Sequence, residues 1–145
     1  MREDIKTIIC RNSHCVLATA SGNKPHCSLM SYTADPQGRE LYMITLRNTQ
    51  KFENLLANHQ VSVLIDTREE DIGSRRGRAK AVTVSGVFQA IGDQRKKDAV
   101  RAQLAAAHPH LQELAACAEA EPFSITVESV LLLEGVIDSY FEELR

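Results

Sequence analysis

Between Thr45 and Lys51 the sequence reads Thr-Leu-Arg-Asn-Thr-Gln-Lys, placing two hydroxyls and two cations in one short stretch. An apolar alternating run ends there and a helical pattern begins, so the unpaired N–H groups of a helix N-terminus emerge beside those side chains. A dianionic phosphate needs that combination: directed donors from the backbone, Thr45 and Thr49, and positive charge from Arg47 and Lys51. The plain alternative is a junction in which Thr49 merely caps the helix and both cations are solvated.

Other reactive side chains are scattered. Cys10, Cys15, Cys27 and Cys117 stand singly, without a C-x-x-C pair, and read as reduced thiols. His14 beside Cys15 has no second ligand pair nearby in sequence. His108-Pro109-His110 has the residue types for a metal or haem, but a histidine at a helix N-cap before Pro109 accounts for the first imidazole. No metal site is expected. His26, at a strand start, reads as structural or solvent-facing, and no nucleophile–base motif is present, so any redox chemistry would belong to a cofactor.

The chain has 145 residues, 43% hydrophobic and 25% charged, with a formal net charge of −2. That suits one soluble domain over residues 1–145. The negative balance argues against nucleic acid or anionic membrane as partner. No segment approaches the roughly 18 apolar residues of a membrane span, and Met1-Arg2-Glu3-Asp4 lacks a signal-peptide pattern, so a cytoplasmic location is expected. Thr67 to Lys80 has no hydrophobic period and reads as a surface loop. Its Arg75 to Lys80 cluster suits a solvated flap over a ligand, the alternative being a nucleic-acid or partner-binding loop on a cofactor-free barrel.

The elements that must position Thr45 to Lys51 follow from periodicity. Ile5, Ile8 and Ile9 give Glu3 to Arg11 one apolar helical stripe, ended by Asn12. Strands are expected at Cys15 to Thr19, His26 to Thr33 and Glu40 to Leu46, separated by Ser21-Gly22-Asn23 and Asp35-Pro36-Gln37-Gly38. In the second strand Cys27, Leu29 and Ser31 share one face and His26, Ser28, Met30 and Tyr32 the other. Phe52, Leu55 and Leu56 then mark a helix from Asn48 or Thr49 to Asn58, followed by strands at Val61 to Ile65 and Ala81 to Ile91, with Gly86 marking a bulge. Asp93 caps a helix to about Ala107, and Pro109 opens another through Ala118. Pro122 ends the helical section, and a last strand bends near Glu128-Ser129 before Val130 to Leu133. The tail from Ile137 is short and amphipathic. About six strands with peripheral helices suit an α+β class with a curled, mostly antiparallel barrel.

Several of these segments, in this order, carry a family likeness: Cys-Val-Leu-Ala-Thr (15 to 19), Gly22-Asn23-Lys24-Pro25-His26, Leu41-Tyr42-Met43-Ile44-Thr45, Lys51-Phe52-Glu53-Asn54-Leu55 before Val61 to Ile65, and Val82-Thr83-Val84-Ser85-Gly86. The chain resembles the pyridoxamine-phosphate-oxidase-like family of FMN-binding split barrels over most of its length. The resemblance implies a split β-barrel, FMN as cofactor, and a homodimer with two flavin sites at its two-fold interface. It also implies that the FMN phosphate is held at Thr45 and at a basic pair matching Gln50-Lys51. The flavin ring is implied to lie along Ser28, Leu29 and Met30, beside Met43 and Ile44. Two positions depart from the pattern: Gln50 is not basic, and Ser28 stands where the oxidases proper often carry Arg. Arg47 is expected to supply the missing charge.

True pyridoxamine-phosphate oxidases resemble one another in a C-terminal Arg-x-His element and tryptophans, whereas this chain has no Trp and ends Tyr140-Phe141-Glu142-Glu143-Leu144-Arg145. Vitamin B6 oxidation is therefore not expected. The resemblance implies an FMN-dependent oxidoreductase acting on a small molecule, with a non-catalytic flavin or haem binder for storage or sensing as the alternative.

Overall fold

The computed structural model describes residues 1–67, 79–135 and 137–144. The expected helix at the start is α1 (Glu3–Arg11), with Ile5, Ile8 and Ile9 buried. It is followed by β1 (His14–Ser21), β2 (Lys24–Ser31), β3 (Thr33–Ala34), β4 (Glu40–Leu46), α2 (Gln50–Ala57) and β5 (Gln60–Asp66). After the loop come β6 (Lys80–Ala90), α3 (Gln94–Ala107), a 3-10 turn (Pro109–Leu111), α4 (Gln112–Ala116), β7 (Ala120–Glu134) and β8 (Asp138–Glu143). Most of the expected loop, with Arg75, Arg76 and Arg78, lies outside the described residues.

Every pairing is antiparallel, along the path β2-β1-β5-β6-β7-β4-β3, with β8 added to β7. The path begins at β2 and ends at β3, yet only Tyr32 separates those two strands in sequence. The sheet must therefore curl until its two ends are one continuous chain, which makes a barrel. The α+β class and split antiparallel barrel are as expected from the sequence.

Local chemistry explains the shape. Ser21 pairs with Lys24 across Gly22 and Asn23, both at positive φ (57° and 65°), the two-residue turn that matches strand twist. At Gly86 the β6–β7 register shifts: Ser85 faces Ser129 but Gly86 faces Val127, so Glu128 is the extra residue of a bulge. A Cβ at Gly86 would lie 2.6 Å from Ile125 Cγ2 and 2.8 Å from the Thr126 carbonyl oxygen, so no side chain fits there. The bulge divides β7. Residues 120–126 pair with β4, and residues 129–134 pair with β8.

Three expectations are corrected. The described residues hold eight strands where six were expected, because β3 has only two residues and β8 is exposed on both faces, which leaves no alternation to read. The helix expected from Pro109 through Ala118 is instead a 3-10 turn and a five-residue α4, broken where Leu111 takes φ −93°, ψ 0°. Pro122 lies inside β7 and does not precede it, at a point where β6 has not yet begun to pair.

The main core lies inside the barrel and under α1 and α2. A second cluster of Ile44, Ile91, Val100, Leu104 and Ala120 packs under α3. The buried Tyr32 hydroxyl donates to the Ile9 carbonyl at 2.6 Å, fastening α1 where the barrel closes.

Candidate functional site

The closure is incomplete. The β3–β4 ladder stops at Thr33 opposite Tyr42, and beyond it Leu29–Ser31 of β2 and Ile44–Leu46 of β4 part without pairing to each other. The facing strand edges there have backbone N–H and C=O groups that no strand ladder among the described residues takes up. A cavity of about 390 Å³ fills this split. Its walls are Leu29, Met30 and Ser31 on one side and Ile44, Thr45 and Leu46 on the other. Thr49 and Lys51 close one end, and His110, Leu111 and Leu114 cover it from the 3-10 turn and α4.

The strand-to-helix turn puts Thr45 and Lys51 together. Thr45 is buried, and the Lys51 ammonium donates to its Oγ1 at 3.2 Å. Among the described residues no carboxylate pairs with Lys51. Burial holds its pKa below the ordinary 10.5, because desolvation disfavours the charged form. Among the described residues this half-buried cation, in the lining of the cavity, therefore has one neutral partner and no carboxylate.

The other expected phosphate ligands are placed differently. Thr49 is the N-cap of α2: its hydroxyl accepts from Phe52 N at 3.2 Å and donates to the Leu46 carbonyl at 2.9 Å. That leaves the N–H groups of Gln50 and Lys51 without an acceptor inside the helix. Gln50 turns along the helix to Asn54 at 2.9 Å, and Asn54 in turn donates to the buried Thr19 hydroxyl at 3.1 Å, a structural chain that ties α2 to β1. Arg47 corrects an expectation. Its guanidinium donates to Glu121 Oε2 and to the Ala118 carbonyl, each at 2.9 Å, so its charge is matched on β7 and it does not line the cavity. Burial pushes Glu121 up, but hydrogen bonds and charge from Lys97 and Arg47 outweigh it and leave the carboxyl below its usual range.

Of the expected ring-side residues, Leu29, Met30 and Ile44 line the cavity. Met43 points into the barrel core, fully buried, and the half-buried Ser28 stands outside the lining. The linear reading missed Ser31, Leu46 and the covering His110, Leu111 and Leu114. It singled out the His-Pro-His segment, but nothing in a local pattern says that this segment folds over β2.

His26 is exposed on β2, as expected for a strand-start histidine. The four cysteines are free thiols, and burial pushes Cys15 up to about 12. No helix of the described residues is long and apolar enough to cross a membrane.

Among solved structures, a haem-binding protein from Mycobacterium smegmatis superposes with a TM-score of 0.83 at 18% identity, covering 97% of this chain and 57% of that one. The chain thus spans little more than half the length of that neighbour. A FAD-binding protein from Mesorhizobium loti matches with a TM-score of 0.73 at 22% identity, over 91% of this chain and 93% of its own. HutZ, a haem storage protein from Vibrio cholerae, matches with a TM-score of 0.73 at 18% identity, over 93% and 96% respectively. At these identities the likeness establishes the fold. No curated protein sequence matches the chain. The family model described as pyridoxamine 5'-phosphate oxidase matches residues 1–133, and the chain, with its split barrel and its cavity in the split, belongs to that family.

Proposed function

We propose that the chain is an FMN-binding flavoprotein that acts as a homodimeric, FMN-dependent oxidoreductase on a small molecule, with reduced nicotinamide as electron donor. The observation that carries the proposal is Lys51, a half-buried cation with no carboxylate partner among the described residues, set beside Thr45 in the lining of the cavity. The cavity volume of about 390 Å³ lies in the range of cofactor sites. Lys51, Thr45 and the two open helix N–H groups would hold the phosphate. Met30, Leu29 and Ile44 would exclude water from the ring, and the open strand edges of the split would orient its polar rim. The flavin would supply the electron chemistry, so no nucleophile–base pair is required of the protein.

The outer sheet face supports the dimer. Leu29, Val16, Leu64, Thr83, Leu131 and Phe141 are successive cross-strand partners over six strands and form one row, roughly 24 Å long at the usual strand spacing. Leu29 and Phe141 are 78% and 57% exposed. A row of five apolar residues interrupted by one threonine is suited to a second copy of the chain. Leu29 is also a wall of the cavity, so a partner seated on the row would abut the ligand.

Haem is the competing ligand, since its propionates are also anions that Lys51 can receive. The absorption spectrum of protein supplied with FMN or haemin separates the two. Flavin bands that are retained through desalting and bleached by reduced nicotinamide support the proposal. Retained flavin that does not bleach marks a storage or sensing protein, and a Soret band with no flavin uptake overturns the reading.

A further inference from the structure

His14 precedes β1 by no residue at all, being its first position, while His108 and His110 flank Pro109 at the end of α3, more than ninety positions away. The fold brings all three together: one ring nitrogen from each lies within 4.8 Å of the others. Ring centroids are 5.6 Å apart for His108 and His110, 5.7 Å for His14 and His108, and 6.2 Å for His14 and His110. We infer that these three imidazoles form a binding site for a divalent transition-metal ion of the zinc class, beside the proposed flavin cavity that His110 also lines.

The hydrogen bonds around the rings are those of a metal site's outer shell. His108 is buried, and its Nε2 lies 2.9 Å from the Tyr32 carbonyl oxygen, which can only accept. That nitrogen carries the proton, so Nδ1 keeps the lone pair. His110 Nε2 is 3.1 Å from the Ser31 hydroxyl, and His14 Nδ1 is 3.0 Å from the Ser13 hydroxyl. Each ring therefore uses one nitrogen on an oxygen partner and leaves the other for a ligand. The N–H that His108 donates to the Tyr32 carbonyl fixes the tautomer and aim of that ring, as such contacts do for ligating histidines.

The dimensions also agree. Ligand nitrogens about 2.0–2.1 Å from a tetrahedral zinc lie roughly 3.4 Å from one another. Closing from 4.8 Å falls to the two exposed rings, His14 and His110, since the buried His108 is held by the Tyr32 carbonyl. Three neutral imidazoles favour zinc, copper or nickel over the hard cations, which prefer oxygen. Three nitrogens converging from one side suit a bare ion. A haem iron, whose plane is filled by its macrocycle, takes axial ligands on opposite faces. The fourth position of a tetrahedral ion would be left to water or to an oxygen of a bound molecule. His110 lines the 390 Å³ cavity, and His14 lines a second one of about 230 Å³ with Asn12, Cys15 and Leu29, so the ion would sit between them.

The test is calorimetric titration of tag-free protein with zinc chloride, repeated on His14→Ala and His110→Ala. Both side chains are exposed, so neither substitution threatens the fold, and a thermal melt on each verifies this. A Cys10→Ser/Cys27→Ser variant controls for the exposed thiols. One zinc per chain is expected, weakened more than about tenfold by either histidine substitution and unchanged in the cysteine variant. Absence of zinc binding by the wild-type protein overturns the site, as does binding that survives both histidine substitutions or disappears with the thiols.

Discussion

Burying an ammonium group beside a hydroxyl, with no carboxylate among the described residues, costs free energy, and in the free protein Lys51 bears that cost. Its folded pKa lies below 10.5 while the unfolded chain has the ordinary value, so the free protein gains stability as pH rises from the first to the second. A bound phosphate reverses the cause by stabilising the ammonium. FMN affinity is therefore expected to fall as pH rises through the folded pKa of Lys51, starting below 10.5. Titrations of wild type and Lys51→Met over the alkaline range check this, the variant having no such limb. Arg47 gives the contrasting residue: paired with Glu121, it is expected to be replaceable by Ala with FMN affinity unchanged within about twofold, since an exposed ion pair contributes little. That Thr45 and Lys51 meet at a strand-to-helix turn was legible in the sequence because helix starts and their cations are local signals. The pairing of Arg47 was not legible there, because Glu121, its partner, arrives from β7 seventy-odd positions later. The meeting of His14 with His108 and His110 was hidden for the same reason.

The elements show where local pattern suffices. The start of α2 follows from Thr49, whose hydroxyl caps Phe52 N, and its buried face from the spacing of Phe52 and Leu55, while α1 follows from three isoleucines on one stripe. Gly86 was legible too, because a glycine inside a β-branched run has few other uses. Replacing it with Ala forces a Cβ to within 2.8 Å of the Thr126 carbonyl, which belongs to the backbone and cannot turn aside. A loss of about 1–3 kcal/mol is expected in urea unfolding, as for overpacked cores. A change indistinguishable from zero would show that the bulge can move. The strands β3 and β8 escaped notice because register with β4 and β7, and not their own pattern, defines them.

For the whole molecule, the curled sheet does two things: it leaves an unpaired split beside Lys51 and presents one apolar row outside. Leu64 sits mid-row and 37% exposed, opposite Val16 and Thr83. Leu64→Glu would place a charge on that row, so sedimentation is expected to show monomers where wild type is dimeric, with FMN affinity reduced as well. A wild-type monomer would remove the partner from the site. The flavin reading itself rests on the Lys51 anion site, and fluorescence titration of FMN into wild type and Lys51→Ala, with thermal melts of both, tests it most directly. The expected result is an affinity loss of about tenfold or more, the share of a charge-assisted contact, with little change in melting temperature. Equal affinity in the two proteins, or a loss of affinity matched by a loss of folding, would contradict it.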